Sequence, residues 1–126
     1  TISLGGIYNA SLGAFVGISS LDSIRTLSVK VAVMAATGVS IKRGLTNTTY
    51  FEAEIKRVIA SNCEKIILMV DHTKFDHDAM ITYAPLERVG TVVTDAPPSA
   101  KYMEFFKKHN IAVLYRHEPE DWQGNQ

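Results

Sequence analysis

The feature that most constrains this chain is an alternation: short unbroken apolar runs separated by stretches with helical periodicity. Four runs stand out, from Val29 to Ala35, Ile66 to Val70, Thr91 to Thr94 and Ile111 to Tyr115. They follow an opening segment that itself reads as the end of a strand. Runs that are apolar without alternating are those of strands covered on both faces, as in parallel sheets. Between them, Thr49 to Asn62 carries Phe51, Ile55, Val58 and Ile59 at helical spacing. Asn47 or Thr48 is placed to cap this helix, and Glu52 and Glu54 suit its positive end. Pro97-Pro98-Ser99 starts a second helix running to about His109, with Met103 and Phe106 facing inward. A shorter helix is predicted between Ser19 and Leu27. The order implies right-handed crossovers and a mostly parallel sheet with flanking helices, an α/β fold of Rossmann-like type.

Two segments are less regular. Ala79 to Ala84 reads either as a short extra strand or as an extended loop, and Pro85-Leu86-Glu87-Arg88 as a turn. The expected division is a single domain over residues 1–115 and a polar tail over 116–126, in which Trp122 is the one large apolar residue. With 126 residues and 46% hydrophobic content, one buried core is attainable.

Charge narrows the function. Thirteen basic residues balance thirteen acidic ones, so no chain-wide positive field attracts nucleic acid, and any DNA contact must come from another segment. No apolar run is long enough for a membrane span, and Thr1-Ile2-Ser3-Leu4-Gly5-Gly6 lacks the pattern of a signal peptide. A cytoplasmic protein is expected. Cys63 is the only cysteine and reads as a buried spectator. No nucleophile elbow, P-loop or dinucleotide fingerprint is present.

In open parallel sheets, ligands bind beyond the carboxyl ends of the strands, where loops and helix amino termini converge. That rule selects Ala36-Thr37-Gly38-Val39-Ser40 with Arg43-Gly44-Leu45-Thr46-Asn47, then Asp71-His72-Thr73-Lys74-Phe75, then Thr94-Asp95-Ala96-Pro97-Pro98. Glu52 and Lys56, four apart on a helix, can present both heads to one cleft or form an ordinary surface ion pair. Lys74 is either an exposed lysine or a cation aimed at a phosphate or hydroxyl. Asp71, His72, Asp76, His77 and Asp78 are metal-ligand types, but their spacing fits no established pattern. Asp71 as a turn cap, with Asp76 and Asp78 solvated, accounts for them without a metal.

At Val70-Asp71-His72-Thr73-Lys74-Phe75 the sequence resembles the effector domain of DeoR-family bacterial repressors, whose motif is a strand followed by Asp-His-Ser-Lys-Phe. Thr73 keeps the hydroxyl of the family serine. Thr37-Gly38-Val39 with Arg43-Gly44-Leu45-Thr46, Glu52 with Lys56-Arg57, and Val93-Thr94-Asp95 agree in order and spacing, as does Gly5-Gly6. The resemblance implies a ribose-5-phosphate isomerase-like sensor that responds to phosphorylated sugars or related metabolites. It also implies an upstream winged helix-turn-helix and an upstream Ser/Gly/Thr-rich phosphate loop. Neither occurs in this sequence, so a piece of a longer, self-associating repressor is expected, reaching operator DNA only through the missing part.

On that resemblance, Glu52, Lys56, Asp71 and Lys74 hold polar groups of a phosphorylated ligand, and Thr37, Gly38 and Thr46 supply backbone or hydroxyl contacts. Tight-turn roles for Gly38 and Gly44 are equally compatible. The alternative function is a sugar-phosphate isomerase or related enzyme of the same fold. Such isomerases use acids in the loop that here reads Thr37-Gly38-Val39-Ser40-Ile41, which contains none, so a non-enzymatic sensor needing no cofactor or metal is expected. A third reading is an oligomerisation domain using exposed Tyr102, Phe105 and Phe106.

Overall fold

The computed structural model describes residues 7–9, 14–16, 25 and 28–116. The chain runs β1 (Ile7–Asn9), β2 (Ala14–Val16), β3 (Val29–Met34), β4 (Gly38–Ser40), β5 (Gly44–Asn47), α1 (Tyr50–Asn62) and β6 (Cys63–Met69). It continues through a 3-10 turn (His72–Lys74), β7 (Ile81–Ala84), a second 3-10 turn (Leu86–Arg88), β8 (Val89–Thr94), α2 (Ala100–Lys108) and β9 (Ala112–Tyr115). Strands β3, β6, β8 and β9 form a parallel sheet in that order, β4, β5 and β7 an antiparallel sheet, and β1 and β2 a hairpin. The α/β architecture with a mostly parallel sheet is therefore as expected. Ala79 to Ala84 resolves into β7, paired with β5. The helix expected over Ser19 to Leu27 lies outside the described residues except for Arg25, as does Trp122.

Strand order explains where the core sits. Strands β3, β6, β8 and β9 keep the same order along the chain and across the sheet, and the right-handed rule for parallel crossovers puts their connections on one face. There Ile66, Leu68, Val92, Ala53, Ala60, Tyr102 and Phe106 pack in one cluster. The other face is open among the described residues: Val33 is 62% exposed, and Val31, Met69 and Leu114 are exposed with it. Coverage of both faces, expected from the unbroken apolar runs, is thus seen on one.

Two helix details correct the sequence reading. The cap of α1 is Thr49, not Asn47 or Thr48, and its hydroxyl donates to Glu52 Oε2 at 3.0 Å. The buried stripe of α1 is Ala53 and Ala60, whereas Phe51 is exposed. Small residues let the helix axis approach β7, β3 and β5 closely, and that approach turns Phe51 outward. In α2, Phe106 faces inward as expected, with Met103 packed against the core, and Tyr102 is 1% exposed. With Tyr102 and Phe106 buried and Phe105 packed on the core, the oligomerisation surface imagined for these three does not exist. Cys63 is buried, its thiol donating to the Ala60 carbonyl.

Candidate functional site: the carboxyl edge of the parallel sheet

Three segments meet beyond the carboxyl ends of the strands. The first is a small antiparallel platform. Thr37 N–H donates to Thr46 O at 2.9 Å, and the Thr46 hydroxyl, fully buried, donates to Gly38 O at 3.1 Å and accepts Ala79 N–H at 2.9 Å. Thr37 itself is exposed. Gly38 has no room for a side chain: a Cβ there would stand 2.2 Å from the His77 carbonyl oxygen. Gly44 sits at φ 81°, where a side chain is strained. The tight-turn reading fits Gly44, whereas Gly38 lies in β4 and is demanded by close packing against the His77 backbone, not by a turn.

The second segment is the start of α1. Glu52 and Lys56 both reach Asn47, a residue only 3% exposed. Lys56 Nζ donates to Asn47 Oδ1 at 3.0 Å and to the Ala35 carbonyl at 2.9 Å, and Asn47 Nδ2 points to Glu52 Oε2 at 3.5 Å. Tyr83 also donates to the Ala35 carbonyl, at 2.9 Å, with Lys56 above its ring. Burial pulls the Lys56 ammonium below its ordinary value, against the opposing charge of Glu52. A solvated helical ion pair does not describe this arrangement, because the two heads are joined through a buried amide.

The third segment is the 3-10 turn after β6. Asp71 caps it, accepting Thr73 N–H at 2.8 Å and the Thr73 hydroxyl on Oδ1, with Lys74 Nζ 3.3 Å from Oδ2. These bonds, the Thr73 hydroxyl first, hold the Asp71 carboxyl at about 2. The neighbouring strand contributes Asp95, whose carboxylate bonds both the backbone and the ring of His72 and is lowered by that ring contact first. Asp76 is not merely solvated, as the sequence suggested. It takes a left-handed conformation, φ 62°, and meets Lys101 and the Tyr102 hydroxyl, each at 2.8 Å. Asp78 likewise accepts from the Ser40 hydroxyl.

The structure thus brings Glu52 and Lys56 together around Asn47, and Asp71 and Lys74 together on one turn. Asn47, His72 and Asp95 fall within the segments selected at the strand ends but were given no ligand role there, and Tyr83 lay outside those segments. The signal of the first three was the position of a polar residue at or just past a strand end, which Tyr83 lacks. Among the described residues, no group of three or more His, Cys, Asp or Glu side chains is arranged to hold a metal. A cleft of about 330 Å³, lined by Lys42, Arg43, Arg57, Thr82, Tyr83 and Glu87 among others, shares Tyr83 with this edge but is bordered by none of the seven residues assigned to the ligand. Its volume is no guide to where the edge chemistry lies.

An open parallel sheet with cations, a buried amide and a capped turn along its carboxyl edge has the layout of α/β domains in which small molecules bind at that edge. The sequence pattern of the family described as DeoR C terminal sensor domain matches residues 1–96, and the chain belongs to that family. It is 32% identical over 112 residues to the HTH-type transcriptional regulator IolR of Bacillus subtilis (strain 168), covering 89% of this chain and 45% of that one. Against the glycerol-3-phosphate regulon repressor of Escherichia coli (strain K12) the identity is 31%, over 86% of this chain and 43% of the other. The deoxyribose operon repressor of the same organism is 28% identical over 88% of this chain and 44% of its own length. The chain spans less than half the length of these relatives, all of which are named as transcriptional regulators.

Proposed function

We propose that this sensor domain binds a phosphorylated sugar or related metabolite at the carboxyl edge of its parallel sheet and thereby governs DNA binding by another part of a cytoplasmic, self-associating repressor. The observation that carries the reading is Lys74, a partly exposed ammonium on the turn directly beyond β6, steadied by Asp71. In this reading the ligand meets Lys74 through its anionic end, while Glu52, Lys56 and Thr37 offer groups to hydroxyls. Gly38 and Thr46 act through the backbone they hold in place, since the Thr46 hydroxyl already has two partners within the protein.

Support for a regulator in place of an enzyme comes from the relatives' names and from the Thr37 to Ile41 loop, which offers no carboxylate for proton transfer. The names of two relatives mention glycerol 3-phosphate and deoxyribose, which fits a small phosphorylated polyol as ligand class. No described helix is long and apolar enough to cross a membrane. The test is calorimetric titration of the complete protein with ribose 5-phosphate, glycerol 3-phosphate and their unphosphorylated parents. Binding of a phosphorylated compound alone, with release from operator DNA and no turnover, is expected; turnover abolished by Glu52→Gln would overturn the regulatory reading.

A further inference from the structure

Strands β6 and β8 are neighbours in register, Met69 opposite Val93, and Val70 N–H extends the ladder to Val93 O at 3.1 Å. The residues that follow each strand therefore emerge side by side. Asp95 uses this adjacency to grip His72 at two atoms: Oδ1 accepts the backbone N–H of His72 at 2.7 Å, and Oδ2 lies 2.7 Å from ring Nδ1. An ionised carboxylate only accepts, so Nδ1 must carry the hydrogen. In a neutral imidazole Nε2 is then left with a lone pair and no hydrogen. The His72 side chain is 64% exposed. A contact this open contributes little to stability, yet two bonds from one carboxylate fix both the turn and the ring. What the arrangement achieves is a hydrogen-bond acceptor of defined tautomer, held on the turn that also carries Lys74.

We infer that His72 determines specificity at the effector site by accepting a hydroxyl of the ligand at Nε2, with Asp95 as the residue that positions the ring and sets its tautomer. The inference rests on the reading of this edge as the effector site and divides the labour within it. Lys74, a donor only, meets the phosphate; His72, an acceptor, meets the polyol. Inorganic phosphate should therefore be blind to His72.

The experiment titrates the complete protein with ribose 5-phosphate, glycerol 3-phosphate and inorganic phosphate. His72→Ala should weaken binding of the phosphorylated polyol by about tenfold and leave inorganic phosphate unchanged, while Lys74→Ala weakens both. Asp95→Asn gives a finer readout. Its side-chain oxygen can keep the His72 backbone N–H, which turns the amide nitrogen, a donor, toward Nδ1 and moves the ring hydrogen to Nε2. Nitrogen-15 spectra of the imidazole should report that switch, and polyol phosphate binding should fall about as far as in His72→Ala, with no further loss in the double variant. A merely structural pair would leave affinity unmoved by the tautomer. Unchanged polyol phosphate affinity in folded His72→Ala, or in Asp95→Asn with its tautomer switched, overturns the inference while a loss in Lys74→Ala keeps the site. Failure of the unaltered protein to bind any of the three compounds overturns the reading of the site and the inference with it.

Discussion

Lys56 Nζ donates to Asn47 Oδ1 at 3.0 Å and to the Ala35 carbonyl at 2.9 Å, so one side chain on α1 ties the end of β5 to the end of β3. The ammonium is a joint between the helix and both sheets, placed where the candidate site begins. Lys56→Met keeps most of the unbranched side chain and removes the joint. The buried Asn47 amide then loses its strongest partner, at a cost of about 1 to 3 kcal/mol for a polar group left unsatisfied. Urea denaturation of the complete protein should show the loss as a lower midpoint, whereas a surface lysine would leave it unchanged.

A second expectation follows from Gly38. Its missing side chain leaves room for the His77 carbonyl, and the nearest obstacles to a Cβ include backbone, which yields little. Gly38→Ala should push β4 away from the 77–79 segment and break the Thr46 hydroxyl contacts to Gly38 O and Ala79 N–H. A loss of about 1 to 3 kcal/mol is expected, in line with overpacking of a tight interior site. Thermal unfolding checks it, and an unchanged melting temperature would mean that the segment relaxes freely.

Tyr102 offers a third measurement. Its hydroxyl donates to Asp76 Oδ1 at 2.8 Å, lies 3.3 Å from Val39 O and accepts Asp76 N–H at 3.2 Å, while its ring is buried against Phe75 and Phe106. Burial, then the Asp76 contact, pushes the phenol up to about 12. Tyr102→Phe keeps the packing and removes the bonds, so a loss of about 1 kcal/mol is expected. The Asp76 carboxyl, held low first by Lys101 and next by this hydroxyl, should rise in the same variant.

These particular residues also mark how far the sequence could be read. The strands were legible because Ile66, Leu68 and Val92 sit in unbroken apolar runs, which local pattern exposes directly. The carboxyl edge was legible too, because strand ends fix it. The inward face of α1 was not: large apolar residues at helical spacing suggested Phe51, while close packing against the strands selected Ala53 and Ala60. Nor does spacing reveal that Asp95 closes on His72 or Tyr102 on Asp76, since those partners come from other elements through β8 and α2. Lys56 looked like half of a surface pair because its partner Asn47 is buried by the fold, not by its neighbours in sequence.

A fourth prediction concerns acid. The exposed Asp71 carboxyl is held at about 2, below the ordinary carboxyl of an unfolded chain, so whatever its bonds contribute is present above about pH 4 and disappears as pH falls through 2. Carbon-13 titration of the Asp71 carboxyl should give that low midpoint. Thr73→Ala removes the largest cause, the hydroxyl bond, and leaves the backbone one, so the midpoint should move upward by a measurable step. An unmoved midpoint would assign the depression to the Thr73 backbone N–H and Lys74 in place of the Thr73 hydroxyl.

The last prediction tests the cation itself. Lys74 Nζ is held 3.3 Å from Asp71 Oδ2 and 3.4 Å from the Thr73 hydroxyl, contacts long enough that an anionic ligand can replace or share them. Because the pair is open to solvent, its loss should scarcely affect folding. A charge-assisted bond to a phosphate oxygen is a different matter, being shorter and formed in a site that the ligand itself shields from water. In the complete repressor, Lys74→Ala should therefore weaken binding of the phosphorylated effector by about 1.5 to 3 kcal/mol. Operator affinity without effector should stay the same, since nothing on this turn is proposed to touch DNA. Release from the operator should then require a correspondingly higher effector concentration. Calorimetry on the variant, paired with an operator-binding titration, separates these effects. Unchanged effector affinity in a folded Lys74→Ala protein would return Lys74 to the ordinary surface and move the anion site elsewhere on the edge.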